Sequence, residues 1–135
     1  MSVELDPYDP VWPAVFEEVA AGLRAVGNAH WTIEHVGSTA IPGMSAKPII
    51  DVAVRVADPD DFERHRPGLE SEGWHFGSGV RSHRVMLFEQ NGSRTRIAHF
   101  FEASEWDEVN QRILRDWLRE HPEDALLYER AKHAA

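Results

Sequence analysis

The run Ile49-Ile50-Asp51-Val52-Ala53-Val54-Arg55-Val56 limits the fold more than any other segment. It is β-branched and apolar on both faces apart from Asp51, so it reads as a central strand that needs cover on each side. A carboxylate inside such a strand needs a reason, because burying an unpaired charge is expensive. Helices supply the cover. Pro10 and Pro13 fit the end and first turn of a helix, and Val15, Phe16, Val19, Leu23 and Val26 follow at spacings of three and four. Asp58-Pro59-Asp60-Asp61 reads as a second helix start with acids at the positive end of the dipole, running through Phe62, His65 and Leu69 to a stop near Gly73. A third helix is predicted from Ser104 as cap, with Asp107 closing an acidic capping box. Its inward stripe would be Trp106, Val109, Ile113, Leu114, Trp117 and Leu118. His121-Pro122 ends it, and a last helix runs through Leu126, Leu127 and Tyr128.

Strands fill the remainder. Trp31, Ile33 and His35 alternate with Thr32 and Glu34, Trp74 to Phe76 forms a short strand, and Gly77-Ser78-Gly79 is a flexible link. Asn91-Gly92 favours a type I′ turn between strands of about 83–90 and 93–102. If Gln90 opposes Ser93, then Glu89 opposes Arg94, Leu87 opposes Arg96, Met86 opposes Ile97 and Arg84 opposes His99, each pair on one sheet face. The order of elements predicts one α+β domain over 1–135, with a small mixed or antiparallel sheet flanked by helices.

Composition removes several function classes. With no cysteine there is no disulfide, thiol nucleophile or iron–sulfur centre, and cytoplasmic residence is the expectation. No apolar run approaches the ~20 residues of a membrane span. A net charge of -9 argues against general binding to nucleic acid or anionic membrane. Only residues 81–100 are positive, where Arg81, Arg84, Arg94 and Arg96 oppose Glu89. That strip reads either as an anion site or as solvated arginines on a hairpin.

The densest chemistry lies in His35-Val36-Gly37-Ser38-Thr39-Ala40-Ile41-Pro42-Gly43 and in Lys47-Pro48-Ile49-Ile50-Asp51. A glycine after a strand lets backbone approach a ligand, and two hydroxyls beside free N–H groups make an anion cradle. Asp51 would then bind Mg²⁺ beside a phosphate. The pattern is neither a Gly-Lys-Ser/Thr loop nor Gly-x-Gly-x-x-Gly. From the residues alone it is a phosphate-binding turn or a structural double turn. A Ser38, His99, Asp51 hydrolase triad fits less well, since the turn lacks Gly-x-Ser-x-Gly. His30, His65, His75, His121 and His133 read as surface or capping residues.

The stretch Glu34-His35-Val36-Gly37-Ser38-Thr39-Ala40-Ile41-Pro42-Gly43 with Lys47-Pro48-x-x-Asp51 resembles the GrpB family of the nucleotidyltransferase superfamily. Tyr8-Asp9-Pro10-x-Trp12-Pro13, Arg115-Asp116-x-Leu118-x-x-His121-Pro122 and Tyr128-x-x-x-Lys132 resemble it too. The resemblance implies a nucleotidyltransferase fold. Gly37, Ser38 and Thr39, with Lys47 and Arg84 as cations, would hold the phosphates of a small nucleotide or phosphorylated ligand. Asp51 would bind Mg²⁺ with help from Glu34, and Asp51 and His99 would be the catalytic pair. Two departures stand out: Ala53 occupies the second position of Asp-x-Asp, and Ile97 the first of a His-x-His pair. Transfer of a nucleoside monophosphate is the leading expectation. The alternative is a non-catalytic nucleotide or coenzyme A-type binding module, since some GrpB-like domains are fused to dephospho-CoA kinase. A protein-interaction domain, suggested by acidic surface and tryptophans, comes third.

Overall fold

A computed structural model of the chain describes residues 5–77 and 83–134, so Arg81 and the Ser78-Gly79 link lie outside the described residues. Helix α1 (Trp12–Val26), strands β1 (Thr32–Val36) and β2 (Ile50–Val56), helix α2 (Pro59–Ser71) and strand β3 (His75–Phe76) form the first half. Strands β4 (Arg84–Gln90) and β5 (Ser93–Glu102) and helices α3 (Asn110–Glu120) and α4 (Pro122–Ala134) complete it. The strands make one sheet in the order β1-β2-β5-β4-β3. Among the described strands only β2 and β5 pair in parallel, so the α+β class and the mixed sheet are as the sequence predicts.

Period two on β2 sorts the molecule into two faces. Ile50, Val52, Val54 and Val56 join Val19, Ala20 and Leu23 of α1, Phe62 and Leu69 of α2, and Phe100 of β5 in the main core. On the other face Ala53 packs with Val36, Phe101, Trp106 and Val109. Helix α2 starts as expected: Asp58 Oδ1 accepts from the Asp61 N–H at 2.9 Å. Asp61 itself is buried, yet hydrogen bonds from the Ala57 N–H and from Trp31 Nε1 at 2.9 and 3.0 Å satisfy it. Burial works against its ionisation, and those bonds nonetheless hold its pKa below the ordinary value.

Two expectations fail, each for a definable reason. The hairpin begins in the predicted register, with Gln90 opposite Ser93 and Glu89 opposite Arg94, but a β-bulge then shifts it. Phe88 pairs with Arg96, leaving Thr95 as the extra residue, and beyond it Val85, not Arg84, faces His99. A slip of one residue reverses the face of every later side chain. The predicted third helix is also displaced. Ala103–Glu108 is a 3₁₀ segment, Val109 is extended, and α3 starts at Asn110, so Ser104 caps no α-helix. Helix α3 turns Arg115 and Leu118 inward, whereas Ile113, Leu114 and Trp117 are exposed. Half of the predicted stripe is thus buried, Trp106 and Val109 beside Val36, Ala53 and Phe101 and Leu118 beside Ile41 and Met44, and guanidinium contacts hold the rest of the buried side. Among the described residues no helix is long and apolar enough to cross a membrane.

Candidate phosphate site

Because β1 runs antiparallel to β2, Val36 pairs with Asp51, and the turn after β1 lands beside the start of β2. Gly37 has φ 77°, a conformation that L side chains rarely adopt. A Cβ there would also lie 2.9 Å from Asp51 Oδ2. The close approach of turn and carboxylate therefore requires glycine. Ser38–Ala40 continues as one 3₁₀ turn. The Thr39 hydroxyl is buried, donates to the Ile49 carbonyl at 3.4 Å and meets His35 Nε2 at 2.8 Å, so His35 is the donor in that pair. Burial, aided by the Arg119 and Arg115 charges, lowers the His35 pKa to about 4 and keeps the ring neutral.

Three arginines of α3 clamp this turn from outside. Arg112 donates from Nε and Nη2 to the two carboxylate oxygens of Glu34, at 3.0 and 3.2 Å. Arg115 Nη1 reaches Glu34 Oε1 at 2.8 Å and the His35 carbonyl at 3.1 Å, and Arg119 Nε donates to the Ala40 carbonyl at 3.0 Å. Burial alone would raise the Glu34 pKa, but the bonds and charges of Arg112 and Arg115 bring it below the usual value. Both oxygens of Glu34 are thus engaged by guanidinium groups.

A cleft of about 280 Å³ opens in front of the turn, lined by Ser38, Thr39, Lys47, Asp51, Ile97 and Lys132 among others. Lys132, from α4, donates through Nζ to Ser38 Oγ. Its pKa is lowered, first by burial and also by Lys47, while Asp51 opposes the shift. His99 does not line the cleft. Its Nε2–H donates to Asp51 Oδ1 at 3.1 Å, leaving Nδ1 to accept from His83 Nε2 at 2.9 Å. Burial and the neighbouring His99 lower the His83 pKa to about 4.

Of the residues singled out in the sequence, Gly37, Ser38, Thr39, Lys47 and Asp51 meet here, with His99 attached through Asp51. Arg84 does not join them. The bulge places it on the helix-covered face, where Nε contacts Glu63 Oε1 at 3.3 Å and the guanidinium lies 5.4 Å from the centre of the Phe62 ring. Val85 takes the place opposite His99, and His83, on the same face, reaches His99 Nδ1 through its side chain. Glu34 is on the Asp51 face but is bound by arginines. Lys132 enters the sequence reading only through the Tyr128-x-x-x-Lys132 resemblance and Arg115 only through Arg115-Asp116-x-Leu118; Arg112 and Arg119 are missed, and their spacing of three and four from Arg115 is the signal that marks the clamp.

A Mg²⁺ pair needs several oxygen donors converging on one point. This donor set does not fit one. Asp51 is shared with His99, Glu34 is consumed, and Ala53 is fully buried among apolar side chains. Among the described residues, no group of three or more His, Asp or Glu side chains is placed to hold a metal.

The family profile of the GrpB protein matches residues 2–135. The chain belongs to the GrpB family. It is 38% identical over 138 residues to UPF0157 protein PA4798 of Pseudomonas aeruginosa, covering 98% of this chain and 56% of that protein. This GrpB chain therefore spans little more than half the length of that relative. The crystal structure of the conserved protein GrpB from Enterococcus faecalis superimposes with a TM-score of 0.83 at 28% identity, covering 93% of this chain and 78% of that one. The Cid1 poly(U) polymerase, in a structure with MgGTP bound, gives a TM-score of 0.55 at 14% identity over 85% of this chain and 39% of that one. The fold of this GrpB protein is nucleotidyltransferase-like.

Proposed function

We propose that this GrpB protein binds the phosphates of a small nucleotide-type ligand in the cleft before the Gly37–Ala40 turn. The observation that carries this reading is the convergence of Ser38 with the ammonium groups of Lys132 and Lys47 beside Asp51, in a protein whose overall charge is -9. An acidic chain that gathers two lysines around a hydroxyl on a glycine turn has made a local anion site. The likeness in fold to a polymerase crystallised with a magnesium nucleotide supports the choice of ligand class. Thr39 serves the turn rather than the ligand, its hydroxyl being committed to His35 and Ile49.

Binding without nucleotidyl transfer is the form of this reading that the geometry favours. Where a second strand carboxylate would stand, Ala53 is buried against Trp106 and Phe101. The decisive measurement is the heat-denaturation midpoint with ATP, CTP, GTP, UTP or dephospho-CoA in a buffer containing Mg²⁺. Ligand at a hundred times its Kd adds about 2.7 kcal/mol of stability. At least one of these ligands raises the midpoint, and the Lys132→Ala, Lys47→Ala double variant loses the rise. No shift with any ligand overturns the proposal.

A further inference from the structure

Building on the phosphate-site reading, we infer that the cleft takes the polyphosphate of its ligand as a metal-free anion: Lys132 and Lys47 supply the countercharge, and Asp51 positions His99 instead of holding a cation. The first support is the state of Asp51. Oδ1 accepts from His99 Nε2 at 3.1 Å, and Oδ2 is set so close to the Gly37 backbone that a Cβ there would come within 2.9 Å. His99 is held in turn by His83 at 2.9 Å, so the carboxylate is the end of a fixed chain of hydrogen bonds.

The second support is the charge of the site. Among the side chains lining the cleft, two ammonium groups face one carboxylate. A divalent cation would add to that positive excess, whereas a polyphosphate cancels it. The third is the hydroxyl of Ser38. An ammonium group only donates, so Ser38 Oγ accepts from Lys132 and its own O–H remains available as a donor. That donor matches a phosphate oxygen.

Isothermal titration with inorganic tripolyphosphate and with ATP, each in excess EDTA and in excess Mg²⁺, separates this inference from the reading beneath it. The expected result is an affinity in EDTA at least equal to that in Mg²⁺. Lys132→Ala then weakens binding in EDTA by about tenfold or more, the range of a lost charge-assisted contact, while Lys132→Arg retains most of it. Asp51→Asn, which removes a negative charge beside the phosphates, binds in Mg²⁺ at least as tightly as the parent. Circular dichroism melts of each variant confirm that it is folded at the titration temperature. Binding that needs Mg²⁺ and disappears in Asp51→Asn overturns the inference and leaves the phosphate site standing. Absence of binding in both buffers overturns the phosphate site and the inference together.

Discussion

The two faces of β2 divide the labour of the molecule, although they alternate residue by residue along one strand. Ile50, Val52, Val54 and Val56 face α1 and α2 in a continuous apolar core. Asp51 and Ala53 face the other way, toward His99, a small apolar cluster and the cleft. The first face gives cooperativity through area removed from water, and the second holds polar groups in fixed geometry at a cost that the first offsets. Substitutions on the two faces should therefore fail differently.

The largest effect belongs to the helix-covered face. Phe62 is fully buried and meets the Phe100 ring at 4.8 Å, so Phe62→Ala removes about 3–5 kcal/mol in chemical denaturation, while tripolyphosphate affinity in the folded fraction is unchanged. An intermediate effect comes from the turn. Gly37→Ala meets a left-handed φ and Asp51 Oδ2 at once, and should cost on the order of 2 kcal/mol together with most of the ligand-induced rise in Tm. Loss of stability with ligand response intact would erase the distinction between the faces at Gly37. The smallest effect near neutral pH is a pH dependence. The folded pKa of His35 lies near 4, below the 6.5 of the unfolded chain, so only the unfolded state takes the proton as pH falls through that window. Stability is then full above pH 6.5 and declines toward pH 4 by about 1 kcal/mol per unit. His83, whose pKa is also lowered to about 4, titrates over the same window, so His35→Gln should remove about half of the slope and the His35→Gln, His83→Gln double variant most of it.

Much of this architecture is legible in the residues. The β-branched run marks β2, proline and aspartate mark the starts of α1 and α2, and Asn-Gly marks the β4–β5 turn. The glycine turn and Asp51 were also readable as partners, and the antiparallel pairing of β1 with β2 supplies the reason. The bulge at Thr95 was not readable, because Asn-Gly fixes only the first pairs of a hairpin and nothing in Ser93-Arg94-Thr95-Arg96 marks an extra residue. It shifts the register by one residue, which puts Val85 opposite His99 and turns Arg84 to the other face. Helix α3 failed differently. Its sequence carries two faces at helical spacing, one apolar and one of arginines, and the arginines turn inward with Leu118 because Glu34, 78 residues before Arg112, and the carbonyls of His35 and Ala40 are there to receive them. Such acceptors cannot be seen from within the helix.

Helix α4 has one more consequence. None of its described side chains is fully buried, yet it carries Lys132 to the turn. Elements with little buried apolar surface open at low free energy, well before the sheet does. A ligand gripped by both Lys132 and Ser38 would tie the most easily released helix to one of the most fixed turns. Occupancy would then be recorded in the amide exchange of α4, slowed on binding, while β2 exchanges as before.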